Sequence, residues 1–213
     1  MTQEGVIQFN LDFTKTAEPI DAKMLVEINA WRHIMHRLKL IGQQRDRYNG
    51  YGYGNISVRH RSSDFSSAFV ISSTQTGHME WLTAQHYALV TAWDIAQNHV
   101  TGRGMTPPSS ESLTHGILYR LNNAIAAVIH VHSPEIWNHA AALKIPATSP
   151  DARYGTPEMA NQVAMLFQHT TGVEKLCIFA MGGHKDGVFA FGDSIETAGS
   201  TLVRYLAKAI AIG

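Results

Sequence analysis

A chain of 213 residues that is 45% hydrophobic and 16% charged has ample apolar material for one globular core, and is too apolar for a disordered one. Lys plus Arg and Asp plus Glu number 17 each, and this zero balance argues against nucleic acid or an anionic membrane as the partner. Cys177 is the single cysteine, which excludes an intrachain disulfide framework; with no basic-then-apolar leader in MTQEGVIQFNLDF and no run of about 18 apolar residues, a soluble cytoplasmic protein is expected.

In chain order, residues 1–20 read as an N-terminal arm, and 21–213 as a single domain. Residues 21–41 read as a helix, because Met24, Leu25, Ile28, Trp31, Ile34, Met35 and Leu38 recur every three or four positions; Asp21 caps its start and Gly42 follows its end. RYNGYGYGNIS is a turn-dense loop running into a strand at about 55–60, and AFVISS (68–73) is a second strand. HYALVTAW, within 83–102, suits a strand or a helix. The loop TGRGMTPPSS stops regular structure, and a short helix follows at 110–121. AIAAVIHVH (124–132) reads as a buried strand. Ser133-Pro134-Glu135 starts a helix to about 142, since a capping serine, an N1 proline and a first-turn acid stand in order. After KIPATSPDARYGT comes a helix at 157–168. Strands at 175–181 and 187–191 are joined by GGHKD, and Asp193 opens the last helix with Glu196 in capping-box position. Helices alternate with strands, which predicts a layered α/β domain.

Histidine is over-represented, with 12 residues, so ligand spacing repays a search. In His130-Val131-His132, residues i and i+2 of a strand face one side, and both imidazoles approach one point; on a helix the same spacing splays them apart. Alone, the pair equally suits one packed and one solvated histidine. His184 follows Gly182-Gly183, whose bare backbone allows a tight bend and a close approach. Three histidines with an open fourth position make a catalytic rather than a closed zinc site, with Mn2+, Co2+ or Fe2+ as alternatives to Zn2+.

Pro107-Pro108-Ser109-Ser110-Glu111 precedes a helix, where free N–H groups and the positive dipole end suit an anion, and Glu111 in the first turn reaches a group beside it. Simple capping explains the same residues. Gly54-Asn55-Ile56-Ser57 and Thr76-Gly77 place amide and backbone donors at strand ends, as anion sites and as plain turns both do. Arg59 and Arg61 are further cationic candidates, against a solvated strand face.

GNIS, a strand ending in TG, PSSES-x2-H, a strand ending in HVHS and a late glycine-flanked histidine occur in an order that resembles the class II aldolase/adducin family over about residues 24–205. The resemblance implies a three-layer α/β/α fold around a central, largely antiparallel sheet, commonly assembled as a homotetramer. It implies metal ligands at His130, His132 and His184. Phosphate-binding positions fall on Asn55, Thr76, Gly77, Ser109 and Ser110, and an acid/base carboxylate on Glu111. The activity implied is aldolase-type carbon–carbon cleavage of a small phosphorylated sugar or related polyol through a metal-stabilised enediolate. A ketose-phosphate dehydratase like those acting on methylthioribulose phosphate, a sugar-phosphate epimerase, and a non-catalytic module like the adducin head are the alternatives. The sequence departs from the family pattern in Lys185-Asp186, which intervene before Gly187. It also has a short segment after HVHS, where Asp151 and Tyr154 are the nearest counterparts of a residue usually supplied by a neighbouring subunit.

Overall fold

The computed structural model describes residues 6–17, 21–61, 65, 67–169 and 176–213. In chain order these form β1 (Asn10–Lys15), α1 (Ala22–Arg37), β2 (Gly42–Gln43), β3 (Gly52–Tyr53), β4 (Asn55–Arg59), β5 (Phe69–Ser72), β6 (Tyr87–Asp94), β7 (His99–Gly104), α2 (Ser112–Leu121), β8 (Ala127–His132), α3 (Pro134–Asn138), α4 (Pro157–His169), β9 (Ile178–Ala180), β10 (Gly187–Gly192) and α5 (Ile195–Ile210). Eight strands make one sheet in the order β1-β7-β6-β5-β4-β8-β10-β9, while β2 and β3 pair separately. Among the described residues, only the β1–β7 pair in this sheet is parallel.

The layers follow from alternation along the strands. In β8, Ala127, Ile129 and Val131 join the cluster that holds Ile28 and Met35 of α1, Ile136 of α3 and Leu202 of α5. Val128 joins the opposite cluster, with Leu113 and Ile117 of α2 and Met159 and Val163 of α4. The sheet is thus covered on both faces, giving the expected three-layer α/β/α arrangement. His130 and His132 share the parity of Val128 and point to the α2/α4 side.

Several local expectations are revised. The arm at 1–20 contains β1, an edge strand parallel to β7; residues 1–5 and 18–20 lie outside the described residues. HYALVTAW is a strand, and β7 continues regular structure through Thr101–Gly104, into the stretch read as a loop. Gly102 is accommodated there because a Cβ would sit 3.2 Å from the Leu89 carbonyl oxygen across the ladder. Asp21 does cap α1, accepting a 2.8 Å hydrogen bond from the Met24 amide, but the helix ends at Arg37 and Lys39, not Gly42, takes the left-handed turn (φ 58°). α2 starts at Ser112, later than the serine pair. The helix after Ser133 is only five residues long, although Ser133 caps it as expected. The cap of α5 is Ser194, which accepts from the Thr197 amide at 3.1 Å, and Asp193 instead takes the Thr197 hydroxyl. Lys175, the first residue of the strand read at 175–181, lies outside the described residues.

Candidate metal centre

The site lies at one end of the sheet, where the N-terminal ends of β4 and β10 meet the C-terminal ends of β8 and β5. Asn55 pairs in register with His130, Phe189 with His130 on the other side, and Gly187 with His132. The bend between β9 and β10 closes on itself through Met181 N–H to Gly187 O (2.8 Å) and Gly187 N–H to His184 O (2.9 Å). This brings His184 back to the β8 pair. A Cβ on Gly182 or Gly183 would collide with the carbonyl oxygens of Thr148 or Ala152, so the close approach requires glycine at both positions.

One nitrogen from each of His130, His132 and His184 lies within 4.8 Å of the others, and all three side chains are buried. A tetrahedral zinc with bonds of about 2.05 Å needs its nitrogens about 3.3 Å apart, a closure that small ring rotations supply. Burial, and secondarily the neighbouring His184, hold the imidazoles of His130 and His132 well below the usual histidine range, so both are neutral with a lone pair to offer. His130 Nε2 is fully buried and makes no hydrogen bond among the described residues. A divalent cation would satisfy it, and the set of three imidazoles fits a zinc-like ion.

Glu111 sits at the N-cap of α2 and is 1% exposed. Its Oε1 lies 3.8 Å from His184 Nε2, and its Oε2 is 3.4 Å from the Thr114 hydroxyl. The carboxylate thus stands against the three-histidine cluster. Its place follows from helix periodicity: Glu111, His115 and Tyr119 are spaced i, i+4, i+8 along the sheet-facing side of α2.

The anion candidates gather at the same end. Ser73 bridges to Pro108, the Thr74 amide donates to Pro107 O at 3.1 Å, and the Thr106 hydroxyl donates to Ser73 Oγ at 2.6 Å, so the Thr76-Gly77 turn and the Ser109-Ser110 loop are neighbours. Thr76, Ser109, Ser110 and Asn55 are all buried. The Thr76 hydroxyl donates to Ser73 O (2.8 Å), and the Glu111 amide donates to Ser109 Oγ (3.3 Å). Gly77 is pressed onto Gly42 O and the Gly52 Cα, where a side chain has no room. The Asn55 amide lies between His130 and His115.

Four further residues contribute to which the sequence reading gave no role in the site. Tyr48 packs edge-on against His132 (4.5 Å between ring centres), and its hydroxyl donates to Asp186 Oδ2 at 2.6 Å while accepting from Arg47 at 2.6 Å. Burial and the Asp186 carboxylate push the Tyr48 phenol up, so it stays protonated. Tyr48, Asn49 and Gly50 all have positive φ (48°, 55° and 76°), a left-handed run that sets the ring over the site; only Asn49-Gly50 advertised such a turn. Asp186 is itself left-handed (φ 64°) and, with Lys185, stands between His184 and Gly187 in the bend. Arg32, 1% exposed, donates to the carbonyls of Thr76 (2.7 Å), Met79 (2.6 Å) and Glu80 (3.2 Å), tying down the Thr76-Gly77 turn from behind. His115 was visible in the sequence only as part of PSSES-x2-H. Tyr154 packs on His184 (4.7 Å), whereas Asp151 is exposed. Arg59 binds the carbonyls of Ile125, Tyr119 and Asn122 and so serves the fold rather than an anion; Arg61 is exposed.

The family model for the class II aldolase and adducin N-terminal domain matches residues 38–209. No curated protein matches the sequence. Among solved structures, an L-fuculose 1-phosphate aldolase shares 20% identity at a TM-score of 0.65, covering 91% of this chain and 87% of that one. The L-fuculose-1-phosphate aldolase from Thermus thermophilus shares 18% at 0.64, covering 90% of this chain and 93% of that one. A sugar-phosphate aldolase from Thermotoga maritima shares 15% at 0.65, covering 89% and 93%. These likenesses show the fold, and a three-histidine cluster on this fold is the equipment of a metal-dependent lyase. The chain belongs to the class II aldolase and adducin family.

Proposed function

We propose that the protein is a zinc-dependent aldolase-type lyase that cleaves a carbon–carbon bond in a small phosphorylated sugar or related polyol. The observation that carries this reading is the buried Glu111 carboxylate 3.8 Å from His184, beside three convergent imidazoles. His130, His132 and His184 would hold a divalent cation, which would supply Lewis-acid polarisation of a substrate carbonyl. Glu111 takes or returns the proton at the carbon or hydroxyl next to that carbonyl; its burial places it in a low-dielectric setting where such a group is tunable. Thr76, Gly77, Ser109 and Ser110 hold the phosphate and so fix the reacting carbon, while the Asn55 side chain, expected among them, turns instead to His130 and His115. Tyr48 and Tyr154, packed on His132 and His184, exclude water from the ligand rings.

Homotetrameric assembly and a cytoplasmic location complete the proposal. It is supported by the family membership and by apolar surface at Val26 of α1 and at Trp81. No helix of the described residues is long and apolar enough to cross a membrane. The test is a panel of ketose and aldose phosphates assayed separately for aldehyde release and for water loss, with wild type and Glu111→Gln. Aldehyde release that drops by about 10²–10⁴ in the variant, with metal content retained, is the expected result. Water loss without cleavage would move the protein to the dehydratases. Equal rates in wild type and variant would remove Glu111 from the chemistry.

A further inference from the structure

Behind the metal cluster runs a line of buried polar groups that contains no charge. Asn55 Nδ2 lies 3.3 Å from His130 Nδ1, and Asn55 Oδ1 lies 2.6 Å from His115 Nε2. His115 Nδ1 lies 2.6 Å from Ser57 Oγ, which lies 2.7 Å from the Tyr119 hydroxyl. Ser57 and His115 have no solvent exposure, and Tyr119 has 1%. The arrangement follows from two periodicities. Asn55 and Ser57 are i and i+2 on β4 and face one way, while His115 and Tyr119 are i and i+4 on α2 and face back. The His115 ring packs against the rings of Phe69 (6.4 Å) and Phe189 (5.2 Å).

Resting on the metal reading above, we infer that this line is a positioning chain whose hydrogen-bond direction is set by the cation, so that metal binding reverses it and switches the tautomer of His115. A neutral imidazole has one donor and one acceptor nitrogen, and a primary amide has one donor end and one acceptor end. Once the role of one group is fixed, the roles along His130, Asn55 and His115 are fixed too. With Asn55 Nδ2 donating to His130 Nδ1, the His130 proton resides on Nε2. His115 Nε2–H then donates to Asn55 Oδ1, and the Ser57 hydroxyl donates to His115 Nδ1. In that sense His130 Nε2 has no lone pair for a cation.

A cation on His130 Nε2 demands the opposite sense. The His130 proton sits on Nδ1 and needs an acceptor there, as ligating histidines do. Asn55 turns its amide end for end and offers Oδ1 to His130 and Nδ2 to His115 Nε2. His115 then carries its proton on Nδ1 and donates it to Ser57 Oγ, and the Ser57–Tyr119 hydroxyl pair adjusts by rotation. Each ring keeps one proton throughout and no group changes charge. Burial supports this by holding His115 down to about 3, so that it carries a single ring proton at any working pH. Asparagine at 55 is the specific requirement: a half-turn of its amide exchanges donor and acceptor with little change of shape.

The test is imidazole ¹⁵N NMR on the full chain, which reports the protonated nitrogen of each histidine, with and without one equivalent of zinc. His115 is expected as the Nε2–H tautomer without metal and as the Nδ1–H tautomer with it. In Asn55→Asp, which accepts from both rings, His115 is expected to stay Nε2–H in both states while zinc still binds. Competition titration provides a second measure: His115→Phe should weaken zinc affinity about tenfold, and His115→Gln, which keeps one donor and one acceptor, should restore most of it. Zinc binding to wild type with an unchanged His115 tautomer would overturn the chain proposal alone. Failure to bind zinc at all would overturn the metal reading and the proposal with it.

Discussion

His130 and His132 belong to a class of residue that burial alone would make costly. Each is a polar ring at 0–1% exposure, and what keeps such rings in a core is a partner on each nitrogen or a metal. Stacking of His130 on Phe189, with ring centres 4.5 Å apart and an 11° interplanar angle, leaves the nitrogens in the plane where ligation occurs. The HxH spacing made this pair legible, because only a strand brings i and i+2 together. Tyr48 was not legible: it lies 84 residues before His132 in sequence, and although Asn49-Gly50 marks a turn beside it, no local pattern places its ring on a distant strand. Its hydroxyl contact with Asp186 is a charge-assisted bond in a half-buried setting. Tyr48→Phe is expected to cost about 1–2 kcal/mol in urea denaturation. A variant as stable as wild type would show that the strap over His132 is held by ring packing alone.

At the scale of elements, the three-histidine cluster depends on how closely the β9–β10 bend approaches the 148–154 loop. Gly183 faces the Ala152 carbonyl with no room for a methyl group, and Gly182 faces Thr148 in the same way. Gly183→Ala must displace the bend and His184 with it. A loss of zinc affinity of about tenfold or more is expected, the range seen when support of a metal ligand is disturbed; unchanged affinity would mean that the bend is not what positions the third ligand. Here the sequence was informative, since paired glycines before a histidine signal close backbone approach. Elsewhere pattern misled. The Thr101–Gly104 stretch was read as a loop because glycines interrupt it, yet pairing with β6 and β1 on both sides makes it a strand. β1 was read as part of an arm because a six-residue edge strand carries little periodic signal, and its partner lies about 90 residues away. The ambiguity of HYALVTAW was settled by the ladder with β5, a nonlocal fact.

For the whole molecule, the two clusters on either side of the sheet supply the stability, and buried neutral histidines make that stability depend on pH. His115 is held down to about 3 in the native state, and His130 and His132 are shifted the same way, all chiefly by burial. Below the ordinary histidine value of 6.5 the unfolded chain binds more protons than the native one, so stability is full above that pH and is lost as pH falls towards the native value. Each such histidine contributes roughly 1.4 kcal/mol per pH unit in that window. The urea midpoint of the metal-free protein should be flat above about pH 7 and fall steeply by about pH 5; a midpoint constant across that range would contradict the burial of these rings in neutral form. The measurement that bears most directly on the account is the zinc stoichiometry and affinity of the full chain beside His130→Ala, His132→Ala and His184→Ala, each checked for native circular dichroism. One zinc per wild-type chain, with affinity reduced at least tenfold in all three variants, is the expected result. A wild-type chain that binds no stoichiometric divalent metal, or folded variants that bind it as tightly as wild type, would contradict it.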